Sequence, residues 1–238
     1  MGAGHHDKDA QKKKDAESKG SGDKLLAHIL GYAVIVGSTL YKLPQIVRIH
    51  RARSATGISL LASSMAAVDN LFSIAYSVAN RHPISTYGEN VPQFMTICTI
   101  ILQILRYEYR APLASLTACG CGMLAVTSTV CSVPRLLGAG AAAMMLDTMK
   151  ALAMALSLTG SLPQVLQNLR ARSAGELSLA TSSLGLLGSW VRMYTVLKQL
   201  ASDKKMVAAQ TVSVVSNTTL VLQILLYSRK GRRQQLGA

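Results

Sequence analysis

The sequence predicts an all-α membrane protein: seven transmembrane helices built as two parallel three-helix repeats, joined by a linker helix. Three observations predict it. Of 238 residues, 50% are hydrophobic and only 15% charged, with a mean hydropathy of +0.29; soluble domains carry more charge. The apolar residues come in runs rather than in alternation, several of them near the roughly 20 residues that cross a bilayer. Finally, one stretch is written twice, 119 positions apart. Leu43-Pro44-Gln45 runs on through Arg51-Ala52-Arg53-Ser54-Ala55 to Ser63-Ser64, and Leu162-Pro163-Gln164 through Arg170-Ala171-Arg172-Ser173-Ala174 to Ser182-Ser183. Twelve of 22 aligned positions are identical, without a gap. A repeat within a hydrophobic chain is typical of transporter-like bundles, whose sites lie between the repeats.

Residues 1–23 are polar, with Lys12-Lys13-Lys14 and no apolar period, and are expected to form a disordered tail. They hold no apolar stretch of a cleavable signal, and His6 stands where myristoylation needs Ser or Thr. Span 1 is expected at about 25–49, span 2 at 58–79, span 3 at 89–107 and span 4 at 112–133. Spans 5, 6 and 7 follow at about 140–169, 177–199 and 205–228. Helix is required over strand because every backbone group inside lipid must be satisfied internally. Short loops make neighbouring spans antiparallel.

The repeat extends to the third span of each unit, where Leu102-Gln103-Ile104-Leu105 matches Leu222-Gln223-Ile224-Leu225 at an offset of 120. Repeat 1 therefore covers 25–110, the linker helix 111–136 and repeat 2 140–229, with a basic tail at 230–238. Two three-helix units joined directly would be inverted; one linker helix makes them parallel. Both Arg-Ala-Arg-Ser-Ala loops then share one side. That side and the C-terminus hold eleven basic residues against five in the opposite loops, which places them in the cytosol. The six lysines of the N-terminal segment weaken this contrast.

The net charge of +14 sits in the tails and short loops. No nucleic-acid motif accompanies it, so it fits membrane orientation and anionic lipid better. Cys98, Cys119, Cys121 and Cys131 fall in apolar segments, spaced for neither a zinc ribbon nor a redox pair, and are expected to be buried, reduced packing residues. The five histidines are scattered. No metal-ligand spacing, nucleophile with a base, or phosphate loop is present, so neither an enzyme nor a bound cofactor is expected.

Four groups of residues stand out. Pro44-Gln45 and Pro163-Gln164 lie near equivalent ends of spans 1 and 5. Each proline deprives a carbonyl, of Leu40 or Thr159, of its helical donor, so the pairs are expected to be hinges or gates, or else static bends. Pro92-Gln93 in span 3 has no counterpart and is expected to be a local kink. Arg51, Arg53, Arg170 and Arg172 follow the paired prolines and could hold a lipid phosphate or simply anchor the topology. Asp69, Asp147, Lys150 and Arg192 are charges inside spans, where a charge usually faces a cavity. Asp147 and Lys150, three apart in span 5, could pair with each other.

The repeated Pro-Gln dipeptides resemble the PQ-loop superfamily, which includes cystinosin-like exporters, SWEET sugar transporters and, in fold, KDEL receptors. Lys42-Leu43-Pro44-Gln45, Arg53-Ser54-Ala55-x-Gly57-x-Ser59 and the stretch from Ala75-Tyr76-Ser77-x-x-Asn80 through Pro83 and Ser85 to Gly88-Glu89 look like the mannose-P-dolichol utilization defect 1 family. Gly175-Glu176-Leu177-Ser178 and Gly188-Ser189-x-x-Arg192 are similar to it too, and the likeness covers roughly 25–230. Arg81-His82 departs from it, being more basic than the aromatic residue expected there. The resemblance implies an endoplasmic-reticulum membrane protein needed for mannose-P-dolichol and glucose-P-dolichol to act as lumenal sugar donors. It adds Tyr76, Asn80 and Glu89 to the candidate ligand-binding residues. The expected partner is membrane lipid, dolichyl-phosphate sugars in particular; the alternative is a small-solute transporter of sugars or amino acids. The oligomeric state is not set by the sequence.

Overall fold

A computed structural model describes residues 3–171 and 179–236, with side chains over 25–39, 43–159, 165, 166, 168–170, 179 and 182–227. Arg172 and the stretch 175–178 lie outside the described residues, as do the side chains of Lys42, Pro163 and Gln164. The described residues form helices and no strand: α1 (Ala3–Ala52), α2 (Leu60–Ala79), α3 (Ile84–Tyr87), α4 (Asn90–Tyr107), α5 (Leu113–Leu136), α6 (Ala139–Ala171), α7 (Leu179–Gln199) and α8 (Lys204–Leu236). α1, α2, α4, α5, α6, α7 and α8 overlap the stretches in which spans were expected. The eighth, α3, is a single turn within the loop after α2.

Two expectations need correcting at the ends. The polar stretch 3–23 continues α1, and the basic tail to Leu236 continues α8. Ala, Lys, Gln, Glu and Arg are good helix formers, and extending an existing helix avoids the cost of nucleation. Pro92 falls within the first turn of α4, where its missing N–H would be unbonded anyway; it helps begin the helix and does not kink it.

The repeat is kept to the residue in the backbone. α1 and α6 run eight residues beyond Pro44 and Pro163, to Ala52 and Ala171, and α2 and α7 start at Leu60 and Leu179. Arg53 stops α1 by turning to φ +48. Ser59 caps α2, its hydroxyl accepting the Ala62 N–H at 3.2 Å, which satisfies an otherwise orphaned donor.

Within each repeat the third helix packs on the other two: α4 on α1 and α2, α8 on α6 and α7. Across the repeats, α1 packs on α7 and α2 on α6. The glutamines of the repeated Leu-Gln-Ile-Leu make the same bond twice. Gln103 on α4 donates to the Ile46 carbonyl of α1 (3.2 Å), and Gln223 on α8 donates to the Val165 carbonyl of α6 (3.0 Å). Each accepting carbonyl lies two residues past the proline. The middle of α1, near His28, and the start of α6 both lie at the opposite end: His28 meets Ser85, which reaches Gln199, while Asp147 meets Lys205. The two repeats are therefore parallel, as the linker arithmetic requires.

Polarity is inverted relative to a soluble protein. Leu25, Val36, Leu124, Leu184 and Leu226 are exposed, whereas Asn70, Ser77, Lys150, Asn168, Arg192, Thr195 and Gln223 are buried. Lipid suits that outer surface, and a polar interior marks function. Among the described residues, α1, α5, α6 and α8 contain segments long and apolar enough to cross a membrane. α2, α4 and α7 are long enough but less apolar, since they carry polar residues that face inward. α5 lies at the edge against α2, α4 and α6, with Pro134 its sole buried residue, so Cys121 is exposed and Cys119 and Cys131, like Cys98 of α4, are only part-buried rather than buried as expected.

Candidate functional site

The inward polar residues of both repeats enclose a cavity of about 250 Å³. Asp69, Asn70 and Ser73 of α2 face Lys150 and Ser157 of α6; Glu89, Asn90 and Gln93 at the start of α4 face Arg192 of α7 and Gln210 and Ser213 of α8. Several lining positions are repeat partners: Ser73 with Arg192, Asn90 with Gln210, and Gln93 with Ser213. The cavity thus straddles the axis relating the two repeats.

One end is closed by the loop between α2 and α4. Ser85, Thr86 and Tyr87 of α3 are buried. The Ser85 backbone lies so near α1 that a Cβ on Gly31 would collide with its carbonyl oxygen, so only glycine fits there. Repeat 2 clamps the loop from the other side. The buried Arg192 guanidinium pairs with the Glu89 carboxylate and donates to the Ser85 carbonyl. The Ser85 hydroxyl donates to Gln199 Oε1 at 2.7 Å and lies 3.0 Å from His28 Nδ1.

Asp203 forms a second clamp. Its carboxylate accepts the Lys205 and Met206 N–H groups (3.0 and 3.1 Å) and so caps α8. The same carboxylate accepts the Tyr76 hydroxyl at 2.9 Å and lies 3.3 Å from His82 Nε2. His82 stands edge-on to Tyr76, ring centres 5.7 Å apart. Burial, with Lys150 adding to it, holds the imidazole below its ordinary 6.5, and Asp203 opposes the shift.

The expected pairing of Asp147 with Lys150 does not form. Asp147 is half exposed and pairs with Lys205 at the start of α8, where both charges stay hydrated. Lys150 turns inward, its ammonium 5.7 Å over the Tyr76 ring, a favourable placement for a cation. Three residues of separation rotate side chains by about 60° around a helix, enough here to put one in water and one inside.

The remaining candidates divide clearly. Asp69, Glu89, Lys150 and Arg192 meet at the cavity. Tyr76 adjoins it through Lys150. The Asn80 amide instead donates to the Tyr76 carbonyl at 2.8 Å, at the C-terminus of α2. Pro44, Gln45, Arg51, Arg53 and Arg170 lie toward the far ends of α1 and α6 and do not line the cavity; Arg51, Arg53 and Arg170 are exposed. At that end Glu108 gathers the loop after α1, accepting the Ala55 N–H at 2.8 Å and the Ser54 and Thr56 hydroxyls at 3.2 Å.

Sequence reasoning missed Asp203, His82, Gln93, Gln210 and Glu108. Asp203 had a signal, since an Asp just before a predicted helix is a capping residue. Its bonds to Tyr76 and His82 cross 127 and 121 positions, and no local pattern encodes them.

The fold and cavity define a multi-pass membrane protein made of two parallel three-helix repeats with a polar site between them. The PQ loop repeat family model matches the chain twice, at residues 26–86 and 145–204. The two matches take in half of the chain, which belongs to the PQ loop repeat family.

Proposed function

We propose that this chain is a seven-span protein of the endoplasmic-reticulum membrane that handles mannose-P-dolichol and glucose-P-dolichol. It moves or presents these lipids so that they serve as lumenal sugar donors in glycosylation, and it catalyses no covalent step. The supporting observation is the polar cavity between the repeats, where two cations stand beside carboxylates and amides. A phosphate-linked sugar has the matching chemistry: anionic oxygens for the cations and hydroxyls for the carboxylates and amides. The resemblance from Tyr76 to Glu89 narrows the choice, and Glu89 belongs to the cavity wall. The orientation follows the basic loops, with the C-terminus in the cytosol and the closed end toward the lumen. The arginines after α1 and α6 then meet the cytosolic lipid head groups.

The test is rescue of cells that make mannose-P-dolichol but cannot use it, read as the size of their lipid-linked oligosaccharides. The wild-type chain restores full-length oligosaccharide, and Glu89→Ala does not. Well-expressed wild-type protein that leaves the oligosaccharides truncated overturns the proposal.

A second reading, transport of a small sugar or amino acid, draws support from Asp69, a carboxylate in the cavity wall not engaged by Arg192. Solute uptake into proteoliposomes that Asp69→Asn abolishes, without rescue of the cells, would favour it.

A further inference from the structure

The cavity holds two cations, but they are not equivalent. Arg192 is spent on the Glu89 carboxylate and the Ser85 carbonyl, and with them it clamps the loop after α2. Lys150 is only 7% exposed, yet among the described residues no hydrogen-bond acceptor or ion-pair partner meets its ammonium. Its ammonium instead lies 5.7 Å over the centre of the Tyr76 ring. Asp69 and Asp203 act on it only through space, from beyond ion-pair distance. A buried ammonium carries three N–H donors and is costly to leave unmatched. Structural lysines avoid that state by pairing; one that faces a polar cavity is waiting for an acceptor from outside.

The rest of the lining narrows that acceptor further. Glu89 neutralises Arg192, which leaves Asp69 and Lys150 facing each other on α2 and α6 without contact. Across from Lys150, Asn90, Gln93 and Gln210 offer amides, each able to donate and accept, as a hydroxyl does. One of these is already oriented: Gln210 donates to the Ser189 carbonyl at 3.1 Å, which leaves its oxygen to accept. At about 250 Å³ the cavity lies just under the roughly 300–1,000 Å³ of ordinary small-molecule sites. That is room for one head group and not for a polyisoprenoid chain, which would stay in lipid.

We propose that Lys150 is the anion subsite of the cavity and that the ligand seated there is a single polyhydroxylated head group bearing one phosphate. This inference deepens the proposed function and rests on it for the phosphate-linked sugar.

The experiment measures binding to the full-length chain in lipid nanodiscs. The probes are mannose, inorganic phosphate, mannose 1-phosphate and a water-soluble citronellyl phosphate ester of mannose. A charge-assisted contact predicts that mannose 1-phosphate binds about ten- to a hundredfold tighter than mannose. Lys150→Met should erase that preference; Lys150→Arg, which keeps the charge, should retain most of it. A preference that survives Lys150→Met, or one absent from the wild type, overturns the subsite. If inorganic phosphate binds as tightly as mannose 1-phosphate and Lys150→Met abolishes both, the sugar is overturned while the anion subsite stands, and the lipid-sugar function falls separately. A further gain from the citronellyl ester marks a lipid-linked ligand; no gain marks a free sugar phosphate, which keeps the subsite and removes the dolichyl reading.

Discussion

The two repeats share a frame and differ in chemistry. Both end their first helix at an equivalent alanine, begin the second at an equivalent leucine, and tie the third to the first by a glutamine bond to the residue after Pro-Gln. Yet every charge in the cavity faces a neutral residue at its partner position. Asp69 corresponds to Gly188, Lys150 to Gly31, Arg192 to Ser73, and Glu89 to Ala209. Repeat 1 supplies the acids and repeat 2 the bases. Folding needs the frame twice, whereas a site with a positive end and a negative end can be built only where the copies disagree.

The strongest way to break this division is at its central pair. Arg192→Met leaves Glu89, whose side chain is only 15% exposed, without its partner, and removing one member of a largely buried pair costs up to about 3–5 kcal/mol. Thermal unfolding in detergent should show a large drop for Arg192→Met, mostly recovered in Arg192→Met/Glu89→Gln. Equal losses in the single and double variants would show that the pair does not hold the loop.

Gly31 and Gly188, each the repeat partner of a cavity charge, give a sharper comparison. Ala at Gly31 would drive a methyl into the Ser85 carbonyl and should cost about 1–3 kcal/mol. Nothing lies within 4 Å of the Cβ position at Gly188, on the face of α7 that matches Asp69. Gly188→Ala should therefore be neutral or stabilise by about 0.5–1 kcal/mol through helix propensity. The same denaturation assay separates them, and similar outcomes at the two glycines would refute the loop's place against α1.

The tie residues test what the repeats have in common. Gln103→Leu and Gln223→Leu should each cost about 1 kcal/mol. Gln223 should cost slightly more, because its oxygen also accepts from Asn168 at 3.2 Å. The smallest expected effect is a pH dependence at the closed end. His82 is held below 6.5 in the fold, so the unfolded chain binds its proton first as pH falls. The stability linked to His82 is complete above 6.5 and is lost as pH drops through and below that value. Melting temperatures between about pH 7.5 and 5.5 should decline for the wild type and flatten for His82→Gln. A decline unchanged in His82→Gln would assign it to other groups.

Much of the frame could be read from residues alone. Apolar runs put six of the seven long helices within a few residues of where they start, α1 beginning earlier in the polar N-terminal stretch, and six within a few residues of where they end, α8 running on into the basic tail; the recurrence of Gln103 and Gln223 drew the third helix of each unit into the repeat. The site was legible only in part. Asp69, Lys150 and Arg192 stood out because a charge within an apolar span demands a reason, and the fold brings them together. Of their partners, Glu89 entered only through the family resemblance and Asp203 not at all. Glu89 sits at a helix start and Asp203 in a loop, where a charge needs no explanation, and whether Lys150 faced Asp147 or Tyr76 depended on a rotation about α6 that spacing leaves free. Pro92 misled because a proline in a helix is disruptive or helpful according to its distance from the N-terminus, and that boundary was uncertain by the one turn that mattered.

The peripheral helix α5 has a consequence of its own. Its outward face meets lipid, Gly120 and Gly122 have open space around them, and Pro134 is its only buried residue. It therefore works as an interchangeable part, specified by its length and greasiness and by counting as one crossing. Two independent chains cut within α5 should still find each other through α1 with α7 and α2 with α6, because the grip between the halves resides in those pairs and owes little to the thread that joins them.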